Sequence, residues 1–184
     1  MEHVGPEERL ALLAIARAAV RAAAEDVPAP PVPDELSFRL GAPAGAFVSL
    51  HDAAGRLRGC IGSVEPEGRL ADLVARMALA AATRDPRFSP LARDELAGLR
   101  VEVSVLSPMR PVSLDDIDPC IHGVCIRLGS RRAVLLPQVA AARGWDPPTL
   151  LAHLCEKANL SPTAWRDPVA ELFAFTIDAM ESEV

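Results

Sequence analysis

Cys60 lies in the run Leu57-Arg58-Gly59-Cys60-Ile61-Gly62-Ser63-Val64, where a cation, a thiol and two glycines stand within five residues of one another. The run alternates with a period of two, which is the pattern of a strand whose alternate side chains share a face. Arg58, Cys60 and Gly62 are therefore expected on one face, with the guanidinium beside the thiol. A cation next to a cysteine raises its thiolate fraction, and the thiolate is the nucleophile. Glycine weakens a strand interior and marks a bulge or a close approach by a ligand or another backbone. Gly59 and Gly62 thus read as a thinned surface around the sulfur. The competing reading is a buried cysteine that acts as a small hydrophobe.

A nucleophilic thiol needs a base within hydrogen-bond reach. The histidines are His3, His51, His122 and His153. His122 stands apart because it precedes Gly123 at the start of a strand pattern, and it is the candidate base. In Arg100–Leu106, Val101, Val103 and Val105 alternate with Glu102 and Ser104. Glu102 is expected to pair with Arg58 or to orient His122, with Ser104 on the same face. Arg84, grouped with Arg87 and Arg93, is a candidate for holding a small anion, against the plainer reading of a solvated surface. Gln138, after Pro137, either presents an amide to a ligand or caps the helix that follows. Cys60, Cys120, Cys125 and Cys155 show no CxxC spacing, and no GxGxxG or phosphate loop occurs. No metal and no nucleotide cofactor is therefore expected.

These groups need a frame. Pro6 to about Ala24 reads as a helix, with Gly5 before it and the acidic Glu7 and Glu8 in its first turn. The proline-rich stretch Val27–Pro33 ends it and runs extended. Ala46–Leu50 and Leu57–Val64 form a hairpin, and Leu70, Leu73, Val74, Met77 and Ala81 mark a helix that lies on the sheet. Arg84–Pro90 is a loop, and Arg100–Leu106 is a strand. Ile121–Leu128 and Arg131–Leu136 flank the turn Gly129-Ser130. Asp146 caps another helix, and Leu172–Ile177 is the last strand. Antiparallel hairpins with inserted helices define an α+β fold. Residues 1–110 with a C-terminal strand at 170–180 are expected to form a larger subdomain, and residues 111–169 a smaller one.

The chain has 184 residues, half of them hydrophobic, with a mean hydropathy of +0.19. It is long enough to bury a real core. A net charge of −6 argues against a nucleic-acid partner, which requires a basic face. Only 4% of residues are aromatic and none is tyrosine, so a base-stacking platform is disfavoured. No apolar run approaches the length of a membrane span, and the first residues hold no signal-peptide core. A cytoplasmic location without membrane contact is the expectation.

The motifs together resemble the AMMECR domain family, whose prokaryotic members are called AmmeMemoRadiSam system protein A. The resemblance is carried by Gly45-Ala46-Phe47-Val48-Ser49-Leu50, by the Leu57–Pro66 signature, and by Ala81-Ala82-Thr83-Arg84-Asp85-Pro86-Arg87-Phe88. Val101–Leu106, His122-Gly123-Val124, Leu135–Ala140 with Gly144-Trp145, and Cys155–Ala158 extend it over most of the chain. It implies two α+β subdomains with mainly antiparallel sheets and a groove between them. It also implies association with a Memo-type, extradiol-dioxygenase-like protein and a radical SAM protein. Two functions follow. One is a thiol-dependent hydrolase or group-transfer enzyme that uses Cys60 on a small, anionic substrate. The other is a non-catalytic module that binds a partner or metabolite.

Overall fold

Gly5 and Pro6 start the first helix, α1 (Pro6–Ala24), because a proline at the first position gives up no hydrogen bond the helix would use. The Glu8 carboxylate accepts the Gly5 N–H at 2.9 Å, and buried Leu12, Leu13, Ala16, Ala19 and Val20 form the inward stripe. The computed structural model describes residues 4–184, and His3 lies outside them. The proline-rich segment leads to a short helix, α2 (Phe38–Gly41), and then to the hairpin β1 (Ala46–His51) and β2 (Leu57–Ser63). Next come α3 (Leu70–Thr83) and β3 (Arg100–Leu106), the strand its valine alternation predicts. The second half holds β4 (Arg110–Pro111), β5 (Gly123–Leu128), β6 (Arg131–Leu135), α4 (Pro137–Ala141), α5 (Pro147–Lys157), β7 (Glu171–Phe175) and β8 (Ile177–Glu183).

The fold is α+β, with two four-stranded sheets in the orders β2-β1-β3-β8 and β4-β7-β5-β6. Every pairing resolved strand by strand in the two sheets is antiparallel. In the first sheet Val48, Leu50, Val101, Val103 and Val105 join Leu12, Val20, Leu70, Leu73 and Val74 of α1 and α3 in one core. Met77 packs at its margin. In the second, Val124, Ile126, Ala133 and Leu135 meet Leu150, Leu151 and Leu154 of α5. Trp145 and Trp165 pack against that core. Asp146 caps α5 by accepting the Thr149 N–H at 2.8 Å, and Gly129 takes a φ of +59° in the β5–β6 turn.

The chain divides into one unit running to Leu106 and including Asp178–Val184, and a second of Ser107–Ile177. The single C-terminal strand expected at 170–180 is two strands. β7 pairs with β4 and β5 in the second unit, while β8 completes the first sheet. The break falls at Thr176, whose carbonyl accepts the Ser107 N–H and whose N–H donates to Ser107 Oγ, both at 2.9 Å. Those bonds tie the residue entering the second unit to one that leaves it.

Candidate functional site

The two faces of the first sheet differ in chemistry. Alternation sends Val48, Leu50, Gly59, Ile61, Val101 and Val103 toward α1 and α3, and leaves Phe47, Ser49, Cys60, Gly62, Glu102 and Ser104 opposite. The register aligns Ser49 with Cys60 on one side and with Glu102 on the other, so the three side chains form one cross-strand row. Ser49 Oγ donates to Cys60 Sγ at 3.2 Å. Ser104, buried, donates its hydroxyl to Glu102 Oε1 at 3.2 Å. Cys60 itself is half-buried.

Arg58 does not complete this row. Pairing steps from Leu50–Gly59 to His51–Leu57 and skips Arg58, a bulge that re-aims the side chain. Its guanidinium grips Glu95, from Nε at 2.6 Å and Nη2 at 2.9 Å. The bonds hold the Glu95 carboxyl below its ordinary range and the Arg58 guanidinium above its own. The expected Arg58–Glu102 pair is therefore replaced by Arg58–Glu95. Glu102 lies two strands from β2, and Glu95 comes from the single helical turn Arg93–Leu96.

The cation at Cys60 is Arg87. The loop after α3 buries Asp85, whose carboxylate accepts the Cys60 N–H at 2.8 Å. The same carboxylate accepts Arg87 Nε at 2.9 Å, Arg87 Nη2 at 2.6 Å and the Arg87 N–H at 3.1 Å. Arg87 Nη2 in turn reaches the Cys60 carbonyl at 3.4 Å. Cys60 therefore has its outward N–H and C=O both met by one ion pair, as a neighbouring strand would meet them. The Arg87 guanidinium, then the backbone donors at Cys60 and Arg87, hold the Asp85 carboxyl far below the usual carboxylate range despite its burial. Arg87 is raised chiefly by Asp85, with a smaller contribution from the Cys60 side chain. Phe88 lies under both cations, its ring centroid 5.5 Å from Arg87 Cζ and 5.7 Å from Arg58 Cζ. Ser49, Asp85 and Glu95 were not singled out by spacing, and Arg87 was named only within the Arg84, Arg87 and Arg93 cluster. Asp85-Pro86 directly after a helix, within a motif that resembled the family, was the available signal.

The two glycines have packing roles. A Cβ on Gly59 would sit 2.3 Å from the Ala81 carbonyl oxygen of α3, and one on Gly62 2.2 Å from the Phe47 ring. Arg84 is exposed at the end of α3, where its N–H bonds the Ala80 carbonyl at 2.7 Å.

His122 and Gln138 belong to the second unit. His122 Nδ1 accepts the Asp118 backbone N–H at 3.0 Å, and the His122 backbone N–H donates to the Asp118 carbonyl at 2.8 Å. An accepting Nδ1 puts the proton of the neutral ring on Nε2. His122 is thus tied into the turn that leads to β5. Gln138 is exposed as the second residue of α4, which has no side-chain cap. Among the described residues no three His, Cys, Asp or Glu side chains converge to hold a metal ion, and no helix is long and apolar enough to cross a membrane.

Two mainly antiparallel sheets with their helices describe a class of α+β fold already seen in a solved structure. Protein PH0010 from Pyrococcus horikoshii superposes with a TM-score of 0.81 at 32% identity, over 94% of this chain and 90% of that one. The AMMECR1 family model matches residues 13–180, and the chain belongs to that family. Relatives include a Thermotoga maritima protein, 42% identical over 149 residues that cover 80% of this chain and 81% of the relative. Protein MK0488 of Methanopyrus kandleri is 39% identical over 155 residues, covering 79% and 74%.

Proposed function

We propose that this protein is a thiol-dependent enzyme that hydrolyses or transfers a group on a small molecule through Cys60. The observation that carries the reading is the setting of the sulfur: half-buried on a polar sheet face, bonded by Ser49, with its peptide held by Asp85 and Arg87. On an acyl substrate R–CO–X, the sulfur attacks the carbonyl carbon and X departs with the bonding electron pair and the thiol proton as HX. Water then cleaves the thioester to R–COOH and restores the thiol. Glu102 on β3 is the register partner of Ser49 on β1, so the thiol proton passes by way of the Ser49 hydroxyl to Glu102 and from there to the departing X. His122 is less suited to the task, since its accepting Nδ1 leaves Nε2 protonated in the neutral ring.

A second reading is a non-catalytic module that binds a partner or a metabolite, working in the cytoplasm with Memo-type and radical SAM proteins. It is favoured by one observation: among the described residues, the hydrogen bond to the Cys60 sulfur comes from a serine and none comes from a histidine. Cys60→Ser and Cys60→Ala separate the two. An enzyme loses complementation of a deletion strain while its melting temperature and its affinity for those two proteins stay as in the wild type. Full complementation by both folded variants would end the nucleophile reading.

A further inference from the structure

Arg87 gives the Cys60 site a charge preference that the rest of the molecule opposes. We propose that Arg87 is the substrate-binding residue for a small carboxylic acid whose electrophilic carbon adjoins its carboxyl group, and that Asp85 is the positioning residue that aims it. The inference rests on the reading of Cys60 as the reacting thiol and names the substrate class for that site.

The Arg87 guanidinium makes three hydrogen bonds to two partners. Asp85 takes Nε and Nη2 of the guanidinium, and the Cys60 carbonyl meets Nη2 again. A guanidinium carries five N–H donors in a fixed fork, and among the described residues the bonds of this one come from Nε and Nη2, so the Nη1 edge faces a ligand. The Arg87 side chain is 54% exposed while the Asp85 side chain is 2% exposed. One end of the pair is an anchor and the other faces outward. Nη2 lies 3.4 Å from the Cys60 carbonyl, and the Cys60 side chain adds to the raising of the Arg87 guanidinium, so an anion on this guanidinium is held at the residue that carries the sulfur. A small ligand whose charge lies close to its reacting carbon meets both groups. Arg58, by contrast, has a side chain only 13% exposed and is gripped twice by Glu95. A net charge of −6 repels anions from the molecule at large. Any preference of Cys60 for an anionic reagent is therefore local.

Iodoacetate and iodoacetamide test this directly, because they differ in charge and share one reaction. The sulfur forms a bond to the methylene carbon, iodide leaves with the electron pair of the C–I bond, and the thiol proton goes to solvent. Labelling rates of the native full-length protein are read peptide by peptide by mass spectrometry, with exposed Cys120 as the internal standard. The iodoacetate-to-iodoacetamide rate ratio is expected to be about fivefold higher at Cys60 than at Cys120, falling as salt screens the charge. Arg87→Gln is expected to abolish the excess, and Arg87→Lys, which keeps the charge, to restore part of it. Arg93→Gln, which removes an equal charge from an exposed site, is expected to leave it in place. Asp85→Asn is expected to lower the ratio without lowering iodoacetamide labelling. If Arg87→Gln does not fold, the salt dependence of the wild-type ratio remains decisive. A Cys60 ratio equal to that of Cys120 at all salt concentrations overturns the role of Arg87 alone. A Cys60 that neither reagent labels, while Cys120 labels normally, overturns the reacting-thiol reading beneath it.

Discussion

Two strands of this protein carry a cysteine and an arginine at the same spacing, and their thiols live in opposite surroundings. In β2, Arg58 precedes Cys60 by two residues; in β5, Arg127 follows Cys125 by two. Cys125 is fully buried, and burial pushes its thiol upward against the opposing pull of Arg127. Arg127 lies over the Phe173 ring at 4.9 Å. Cys60 is half-buried, touches a serine hydroxyl, and is served by an arginine from a loop rather than by the arginine of its own strand. Spacing places a cation on a face; a bulge, a carboxylate or a ring then decides where it goes. Reactivity in such a strand is set by what packs against it.

Glycine gives the harshest test of that comparison, because the two strands agree there. Gly62 lies beneath Phe47, and Gly123 beneath Phe175, with a Cβ on the latter 2.3 Å from the ring. Gly59 faces the backbone of a helix, the Ala81 carbonyl oxygen at 2.3 Å, while at Gly62 the strand's Ala46 carbonyl oxygen, 2.7 Å from a Cβ, adds to the ring. A ring edge can shift, whereas a helix carbonyl cannot move without its helix. Gly59→Val is expected to cost about 3 kcal/mol or more in urea unfolding, and Gly62→Ala and Gly123→Ala about 1–2 kcal/mol each. Wild-type stability for Gly59→Val would mean that β2 and α3 do not pack as described.

Native-state labelling comes next in size. Cys125 can react only after local opening, whereas Cys60 needs none. Iodoacetamide should modify Cys60 at least ~100-fold faster than Cys125 under native conditions, and denaturant should erase the difference. Equal native rates would make the two strands equivalent and remove the ground for treating Cys60 as a site.

Asp85 gives the contrast a pH dependence. Its folded-state pKa is depressed, so its stabilising contribution is fully present above the unfolded value of about 3.9 and is lost as pH falls toward the folded value. Asp85→Asn is expected to cost about 2 kcal/mol at pH 7, and the gap from wild type should shrink steadily below about pH 4. Stability curves collected from pH 7 to pH 2 check the sign. A gap that widened in acid would show that Asp85 enters the fold protonated.

Much of the frame was legible in the sequence. α1 runs from Pro6 to Ala24 as its proline and acidic first turn predict, and β3 follows its valines from Arg100 to Leu106. These are local signals, written in periodicity and caps. The unread parts are contacts across distance. Asp85 lies 25 residues from Cys60, and Glu95 lies 37 from Arg58. Both come from segments without regular period, so no alternation could link them to β2. The break at Thr176 was hidden for a different reason: apolar residues on both sides of it suit strands in either sheet, and only the pairing partners separate β7 from β8.

The smallest expected effect is the most direct probe of what the Cys60 sulfur is for. Removing a sulfur from a sealed core leaves a cavity and forfeits its contacts, so Cys125→Ala should cost about 1–2 kcal/mol. Cys60 is bounded on one side by solvent, and its Ser49 partner can bond water once the sulfur is gone. Cys60→Ala should therefore cost below about 1 kcal/mol, and Cys60→Ser less again, since its hydroxyl can take the bond from Ser49. Chemical denaturation of the three variants at pH 7 measures the ordering. A cost at Cys60 equal to that at Cys125 would mean that the sulfur is held for its volume, and its polar surroundings would then be a consequence of the edge strand needing a cap. A low cost would leave packing without a reason for a thiol at this position, which is the outcome the nucleophile proposal expects.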